Sequence, residues 1–271
     1  MATRASPTGC WATSSSSTAR RGPCWRCPPS VTASVSSTPP TPAATTCVWR
    51  PAGAAGGGWF VQVGSDGGLL GAPRRLDAVG LAPGERCDAV VDFAGFPVGS
   101  RVTLRNTAAE GGMRDVMRFH VVRRGRDDSR VPARLAPSFE RLVPAGDMPV
   151  RVFDFRRTRD GGDRPMWTVN GRPFRPDTVL ASPRLGSVER WRFSSDFHHP
   201  VHVHLARFQV VARGGRPPGA ADAGWKDTVD VRPYEVVEVL ARFTGYRGRY
   251  MLHCHNLEHE DMAMMGTFEV V

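Results

Sequence analysis

From Gly57 onward the chain alternates short apolar stretches with Gly- and Pro-rich breaks, and nowhere does it sustain the 3.6-residue period of a long amphipathic helix. Apolar runs occupy Trp59–Gly64, Asp88–Phe93, Arg101–Arg105 and Met117–Arg123. Turn signals separate them, among them Ser65-Asp-Gly-Gly68, Pro83-Gly84 and Gly111-Gly112. A more polar stretch from Arg124 to about Pro149 reads as a connection between domains. A second series then follows: Val150–Phe155, Val188–Phe193, Val201–Val211, Val236–Phe243, Arg249–His255 and Thr267–Val271. Many short strands divided by turns predict an all-β protein built from antiparallel sandwiches.

Before Gly57 this pattern is lost. The first 50 residues hold nine Ser, nine Thr and seven Pro, with no period of 2.0 or 3.6. Such a segment buries too little apolar surface to offset chain entropy, so residues 1–56 are expected to be low-complexity and disordered. Cys24-Trp-Arg-Cys27 has CxxC spacing, a weak zinc or redox signal without a second pair. Arg20-Arg21 is followed by Gly-Pro-Cys where a leader would need an apolar stretch, so no signal peptide is expected and localisation stays open. No apolar run approaches the ~18–20 residues of a membrane helix, so no membrane span is expected.

The formal net charge is +10 over 271 residues, but the balance is peculiar: of 36 basic residues only Lys226 is Lys. The skew fits a GC-rich coding sequence better than a binding surface, and no nucleic-acid motif accompanies it, so no nucleic-acid partner is expected. Oligomeric state is not legible.

Histidine changes the picture. Seven of eight His lie between His198 and His259; only His120 is outside. They fall into two motifs, His199-Pro-Val-His202-Val-His204 and His253-Cys-His255-Asn-Leu-Glu-His259-Glu260-Asp-Met-Ala-Met264. On an extended strand, residues two apart share a face. His202 and His204 therefore point one way, and His253 and His255 another, with Cys254 directed opposite to its neighbours. One strand can thus feed two metal sites. A thiolate, two imidazoles and a weak thioether is the set of a blue-copper electron-transfer centre, and His199, Cys254, His259 and Met264 supply it, with Met262 and Met265 competing for the thioether place. The imidazoles of His202, His204, His253 and His255 also suit copper. Zinc accepts Cys and His too, but one structural zinc takes four ligands, fewer than these motifs offer. His198 reads as a solvated or supporting residue, His120 as structural, and Cys87 as a small buried thiol.

The two motifs resemble those of the multicopper oxidases, in particular the bacterial group with three cupredoxin domains, laccase-like enzymes among them. Val63-Gly-Ser-Asp-Gly-Gly-Leu-Leu70, Leu81-Ala-Pro-Gly-Glu-Arg-Cys-Asp-Ala-Val-Val-Asp-Phe93 and Gly224-Trp-Lys-Asp-Thr-Val-Asp-Val231 look like flanking segments of that family, so the resemblance spans about Gly57 to Val271. It implies cupredoxin-like Greek-key sandwiches and a copper-dependent oxidoreductase. His199, Cys254, His259 and Met264 would hold type 1 copper, His202 type 2 copper, and His204, His253 and His255 the type 3 pair. Electrons from a small-molecule reductant, phenolic or similar, would be taken up beside His259. They would pass through Cys254 to the cluster that reduces dioxygen, with Glu260 handling protons. Cys254, His259 and Glu260 are accordingly the candidate catalytic residues.

The sequence departs from that family in one respect. The family's cluster takes eight His, four from an N-terminal domain, and no His precedes His120. The expected organisation is an atypical or out-of-frame segment over 1–56, a partial second cupredoxin domain with its connection over 57–145, and a complete C-terminal cupredoxin domain over 146–271. Such a chain is expected to be a truncated oxidase lacking four-electron turnover. The alternatives are an electron-transfer module with a type 1 site only, and a basic CxxC protein binding zinc or nucleic acid.

Overall fold

The computed structural model describes residues 24–27, 30–36 and 47–52 as backbone strands, and residues 57–107, 114–125 and 127–271 with their side chains. Strands dominate. Among the described residues the α-helix content is one short element, α1 (Leu257–Asp261), and no helix is long and apolar enough to cross a membrane.

The first sandwich uses β1 (Cys24–Cys27), β2 (Ser30–Ser36), β3 (Cys47–Ala52), β4 (Phe60–Ser65), β5 (Gly68–Leu76), β6 (Val79–Leu81), β7 (Arg86–Asp92), β8 (Arg101–Asn106) and β9 (Asp115–Val121). A five-stranded sheet in the order β1-β9-β8-β3-β6 accompanies a four-stranded sheet, β2-β7-β4-β5. Alternation along β7 turns Cys87, Ala89 and Val91 inward, where they join Phe60, Phe93 and Phe119.

Three of these strands, β1, β2 and β3, lie within residues 1–56, the segment expected to be low-complexity and disordered. β2 runs antiparallel to β7 from Ser30↔Asp92 to Ser36↔Arg86, and β3 lies between β8 and β6. Pairing is made by backbone groups, so the edge positions of β1 and β2 do not require apolar alternation in the sequence. The rest of residues 1–56, and the side chains of Cys24 and Cys27, lie outside the described residues.

The second sandwich uses β10 (Val150–Arg159), β11 (Pro165–Val169), β12 (Val179–Ala181), β13 (Val188–Ser195), β14 (His199–Val203), β15 (Arg207–Arg213), β16 (Thr228–Val231), β17 (Val236–Arg242), β18 (Gly248–Cys254) and β19 (Met265–Val270). Its sheets run β11-β10-β13-β17-β15 and β12-β19-β18-β14-β16. Most pairs are antiparallel, but β10 runs parallel to β13 and β12 parallel to β19. Phe153, Phe155, Trp191, Phe193, Phe208, Phe243 and Phe268 fill the space between the sheets. Side chains of this size each contribute roughly 1.5–3 kcal/mol by leaving water. Trp191 is fully buried, and its Nε1–H donates to Glu189 Oε2 at 3.0 Å, so the indole carries no unpaired donor into the core.

The strand expected over Val201–Val211 is two strands. Leu205 adopts φ +62°, and the Ala206 N–H donates to the His204 carbonyl at 2.7 Å. This tight turn carries the chain from the sheet of β14 to the sheet of β15. The connection after β9 has no regular element but is fastened along its length. Leu135 N–H donates to Gly71 O, Leu142 N–H to Gln209 Oε1, and Gln209 Nε2 to Glu140 O.

The sandwiches meet at a buried ionic seam. Lys226 places its ammonium 3.3 Å from Asp66 and 3.2 Å from Glu85. Burial works against that charge, but the two carboxylates outweigh it and hold the ammonium protonated well above the usual lysine range. Beside it, Arg86 grips both oxygens of Asp227 at 2.7 and 2.6 Å. The chain's sole lysine therefore has a structural place that its rarity in the sequence did not reveal.

A candidate metal centre on two faces of one sheet

β14 and β18 lie side by side, with Val201 opposite Cys254 and His202 opposite His253. Their register decides where every ligand goes. The inner face of the sheet receives His199, Val201, Val203, Leu252 and Cys254, all buried. The outer face, toward the first sandwich, receives His202 and His253, and His204 follows immediately after β14.

On the inner face, His199 Nδ1 lies 3.4 Å from Cys254 Sγ and 3.1 Å from His259 Nδ1, and His259 Nδ1 lies 3.4 Å from Cys254 Sγ. A point equidistant from the three atoms is about 1.9 Å from each, near the ~2.0–2.3 Å of metal bonds to imidazole and thiolate. The donor set and its trigonal spacing fit copper. The loop after β18 builds the third corner. Glu260 N–H donates to Asn256 O to start α1, Met264 N–H donates to His259 O at 2.9 Å, and Cys254 N–H donates to Met264 O at 3.1 Å. Ala263, at φ +61°, makes the reversal that brings Met264 back. Met264 is fully buried in the same core cluster as Cys254, whereas Met262 is largely exposed.

Outside the triangle, three contacts fix the rings. His199 Nε2 faces Asp196 Oδ1 at 3.2 Å. The indole of Trp167 stacks on His259 with ring centroids 3.8 Å apart. The indole N–H in turn donates to Met262 Sδ at 2.9 Å.

The outer group is looser. Ligand atoms of His202, His204 and His253 lie within 4.8 Å of one another, and His204 Nε2 is 3.0 Å from His253 Nε2. His255 stands beside them, its ring 5.5 Å from His253 and 5.7 Å from His202, though outside that tighter group. Two of the rings are engaged through Nδ1. His202 Nδ1 is 2.9 Å from Thr228 Oγ1, and His253 Nδ1 is 3.2 Å from the Cys254 carbonyl and 3.6 Å from Glu260 Oε2. Such outer contacts leave Nε2 of His202 and of His253 to face the group. From the first sandwich, Gly84 closes on His255. It adopts φ +84°, and a Cβ there would lie 2.9 Å from the imidazole Cδ2.

The electrostatics suit a cation. Burial pushes the Cys254 thiol well up. Burial, then His199, lowers His259 to about 4. Burial lowers His253 to about 4 as well, partly opposed by its bond to the Cys254 carbonyl. Burial also lowers His199, and burial with neighbouring His202 lowers His204. Burial thus favours the neutral, metal-binding form of these four imidazoles, and a bound cation would supply what turns the thiol into a thiolate.

Sequence reasoning did not find Asp196, Trp167 or the Arg86–Asp227 pair that backs His202. Asp227 and Thr228 lie within the quoted segment Gly224–Val231, so that flank carried a signal. Asp196 and Trp167 carried none beyond the proximity of Asp196 to His199. His198 is half-exposed and 3.5 Å from Asp230, His120 sits on β9 away from both groups, and Cys87 is a buried thiol pushed up to about 12.

Comparison with known proteins points the same way. The multicopper oxidase family profile matches residues 148–271. The laccase of Bacillus subtilis is 34% identical over 242 residues, covering 79% of this chain and 47% of its own length. The bilirubin oxidase of Albifimbria verrucaria is 35% identical over 229 residues, covering 77% of this chain and 39% of its own. The crystal structure of a multi-copper oxidase from Pediococcus acidilactici superposes with a TM-score of 0.77 at 26% identity, over 92% of this chain and 50% of that one. McoA from Aquifex aeolicus gives 0.76 at 26%, over 92% and 57%. The chain spans about half the length of the curated relatives it matches, or less.

Proposed function

Residues 148–271 belong to the multicopper oxidase family, and on that premise we propose that this chain carries the electron-accepting half of a laccase-like oxidase. His199, Cys254, His259 and Met264 would hold a type 1 copper, His202 a type 2 copper, and His204, His253 and His255 a type 3 pair. Copper bound at these places would supply one-electron oxidation of a small phenolic or similar reductant; reduction of dioxygen to water takes the family's full cluster of eight His, of which this chain carries four, so that turnover is expected to be lost.

The chain's own residues do the rest. His259 lies on α1 at the surface side of the triangle and offers reductant the shortest approach. Asn256, Trp167 and the Met264 backbone hold it in place. Cys254 belongs to the inner site, while its sequence neighbours His253 and His255 belong to the outer one, so a single peptide unit separates the two. The His253 Nδ1–H donates to the Cys254 carbonyl and shortens that separation further. Glu260, partly exposed and 3.6 Å from His253 Nδ1, would hand protons between solvent and the imidazole group.

The observation that carries the reading is the trigonal Cys254–His199–His259 set on one face of β14–β18, with the His202–His204–His253 group on the other. Copper titration followed by optical spectra tests it: an intense blue band is expected, and is expected to vanish in Cys254→Ser. Oxygen uptake with phenolic reductants tests the cluster. A second reading, an electron-transfer module working through the type 1 site alone, is favoured by the contrast between the fully buried Cys254 and the exposed His204. Blue colour without oxygen uptake, and without the near-ultraviolet absorption of a bridged pair, would select it.

A further inference from the structure

We propose that Asp196 is a positioning residue for the sulfur-containing site: its carboxylate fixes the tautomer of His199 and biases the site toward the more highly charged state of a bound copper. The inference rests on the site reading above.

The geometry is specific. Asp196 follows directly on the end of β13, three residues before His199. Its Oδ1 lies 3.2 Å from His199 Nε2, and its Oδ2 accepts the backbone N–H of Arg157 at 2.8 Å. Both oxygens are therefore engaged, one by the ligand and one by the opposing strand β10, so the carboxylate cannot swing away without losing a partner. The His199 side chain has no solvent exposure. A neutral imidazole carries one N–H. With Asp196 accepting it at Nε2, Nδ1 is left bare, and Nδ1 is the atom 3.4 Å from Cys254 Sγ and 3.1 Å from His259 Nδ1. The opposite tautomer would aim a proton into the triangle and leave the carboxylate facing a lone pair.

The carboxylate also acts through its charge. It places a negative charge 3.2 Å from a ring nitrogen of His199, close beside the triangle. A negative charge at that distance attracts the more highly charged ion more strongly and so favours Cu(II) over Cu(I). An Asp196→Asn side chain can still accept from His199 through Oδ1, but its amide then turns a donor toward the Arg157 N–H and its charge is gone.

Two measurements test this. In the copper-free native protein, long-range 1H–15N NMR should show His199 protonated at Nε2; a proton at Nδ1 overturns the proposal whether or not the protein binds copper. In the copper-loaded protein, potentiometric titration of the blue band should show Asp196→Asn shifted to higher potential. Supporting contacts around metal ligands typically matter by ~10–100-fold, and each tenfold change in the Cu(II)-over-Cu(I) preference moves a one-electron couple by about 59 mV. An unchanged potential with an intact blue band would reduce Asp196 to a strand fastener and overturn the proposal. If Asp196→Asn fails to fold, the native tautomer decides. Absence of any blue band in the native protein would defeat the reading of the site instead, and the NMR result would still judge Asp196.

Discussion

The two faces of the β14–β18 pair carry ligands of opposite character. The inner site is closed: a thiol and two imidazoles at 3.1–3.4 Å from one another, packed among core side chains and braced by Asp196 and Trp167. The outer site is open: His204 is exposed, His255 stands apart from the tightest group, and part of its support comes from the other sandwich, through Gly84 and through Arg86, which holds Asp227 beside His202. The difference follows from the register. One residue's step along β18 exchanges the core of a sandwich for the seam between two sandwiches. A site built in a core is preorganised by packing. A site at a seam is only as good as the docking that shapes it.

That contrast can be broken most decisively at Cys254. Cys254→Ser is expected to remove the blue band completely while copper remains measurable at the imidazole group by metal analysis; loss of both together would mean that the two faces do not act separately. Next in size is the seam. Lys226→Met leaves Asp66 and Glu85 buried without their cation, and removing one partner of a buried pair costs about 3–5 kcal/mol. Denaturant unfolding should show that loss, together with copper released from the outer group before the inner one.

His204→Ala should then weaken copper at the outer group by roughly 10–100-fold, as read by competition with a chelator, with the blue band unchanged. A further test is in pH. His253 and His259 have folded values near 4 against 6.5 in the unfolded chain. Between about pH 6.5 and 4 the unfolded chain takes up protons that these two buried rings refuse, so the copper-free fold loses stability as pH falls through that window and is unaffected above it. Thermal unfolding across pH 4–8 checks the sign.

How much of this was legible in the sequence follows the same division. The alternation rule placed Cys254 opposite to His253, and the two motifs contain His199, Cys254 and His259, which the inner face brings together, because each lies on or beside strands whose period is local. Strand positions such as Val188–Phe193 and Val236–Phe243 were legible for the same reason. The seam was not. Arg86 meets Asp227 across 141 positions, and Lys226, whose rarity read as a codon effect, meets carboxylates of the other sandwich. Nothing local marks such pairs. Nor does local pattern reveal β2 and β3, whose pairing draws on backbone groups, or the break at Leu205, where the left-handed residue is neither Gly nor Asn. Asp196 and Trp167 were invisible because their roles depend on β10, β11 and α1 meeting in space.

The central claim is that one sulfur and two imidazoles on the inner face hold a single copper apart from the imidazole group. X-ray absorption at the copper edge, on the full chain loaded with one equivalent, tests it most directly. One short copper–sulfur and two copper–nitrogen interactions, replaced by nitrogen and oxygen alone in Cys254→Ser, are the predicted result. A first equivalent surrounded only by nitrogen and oxygen in the native chain would contradict it.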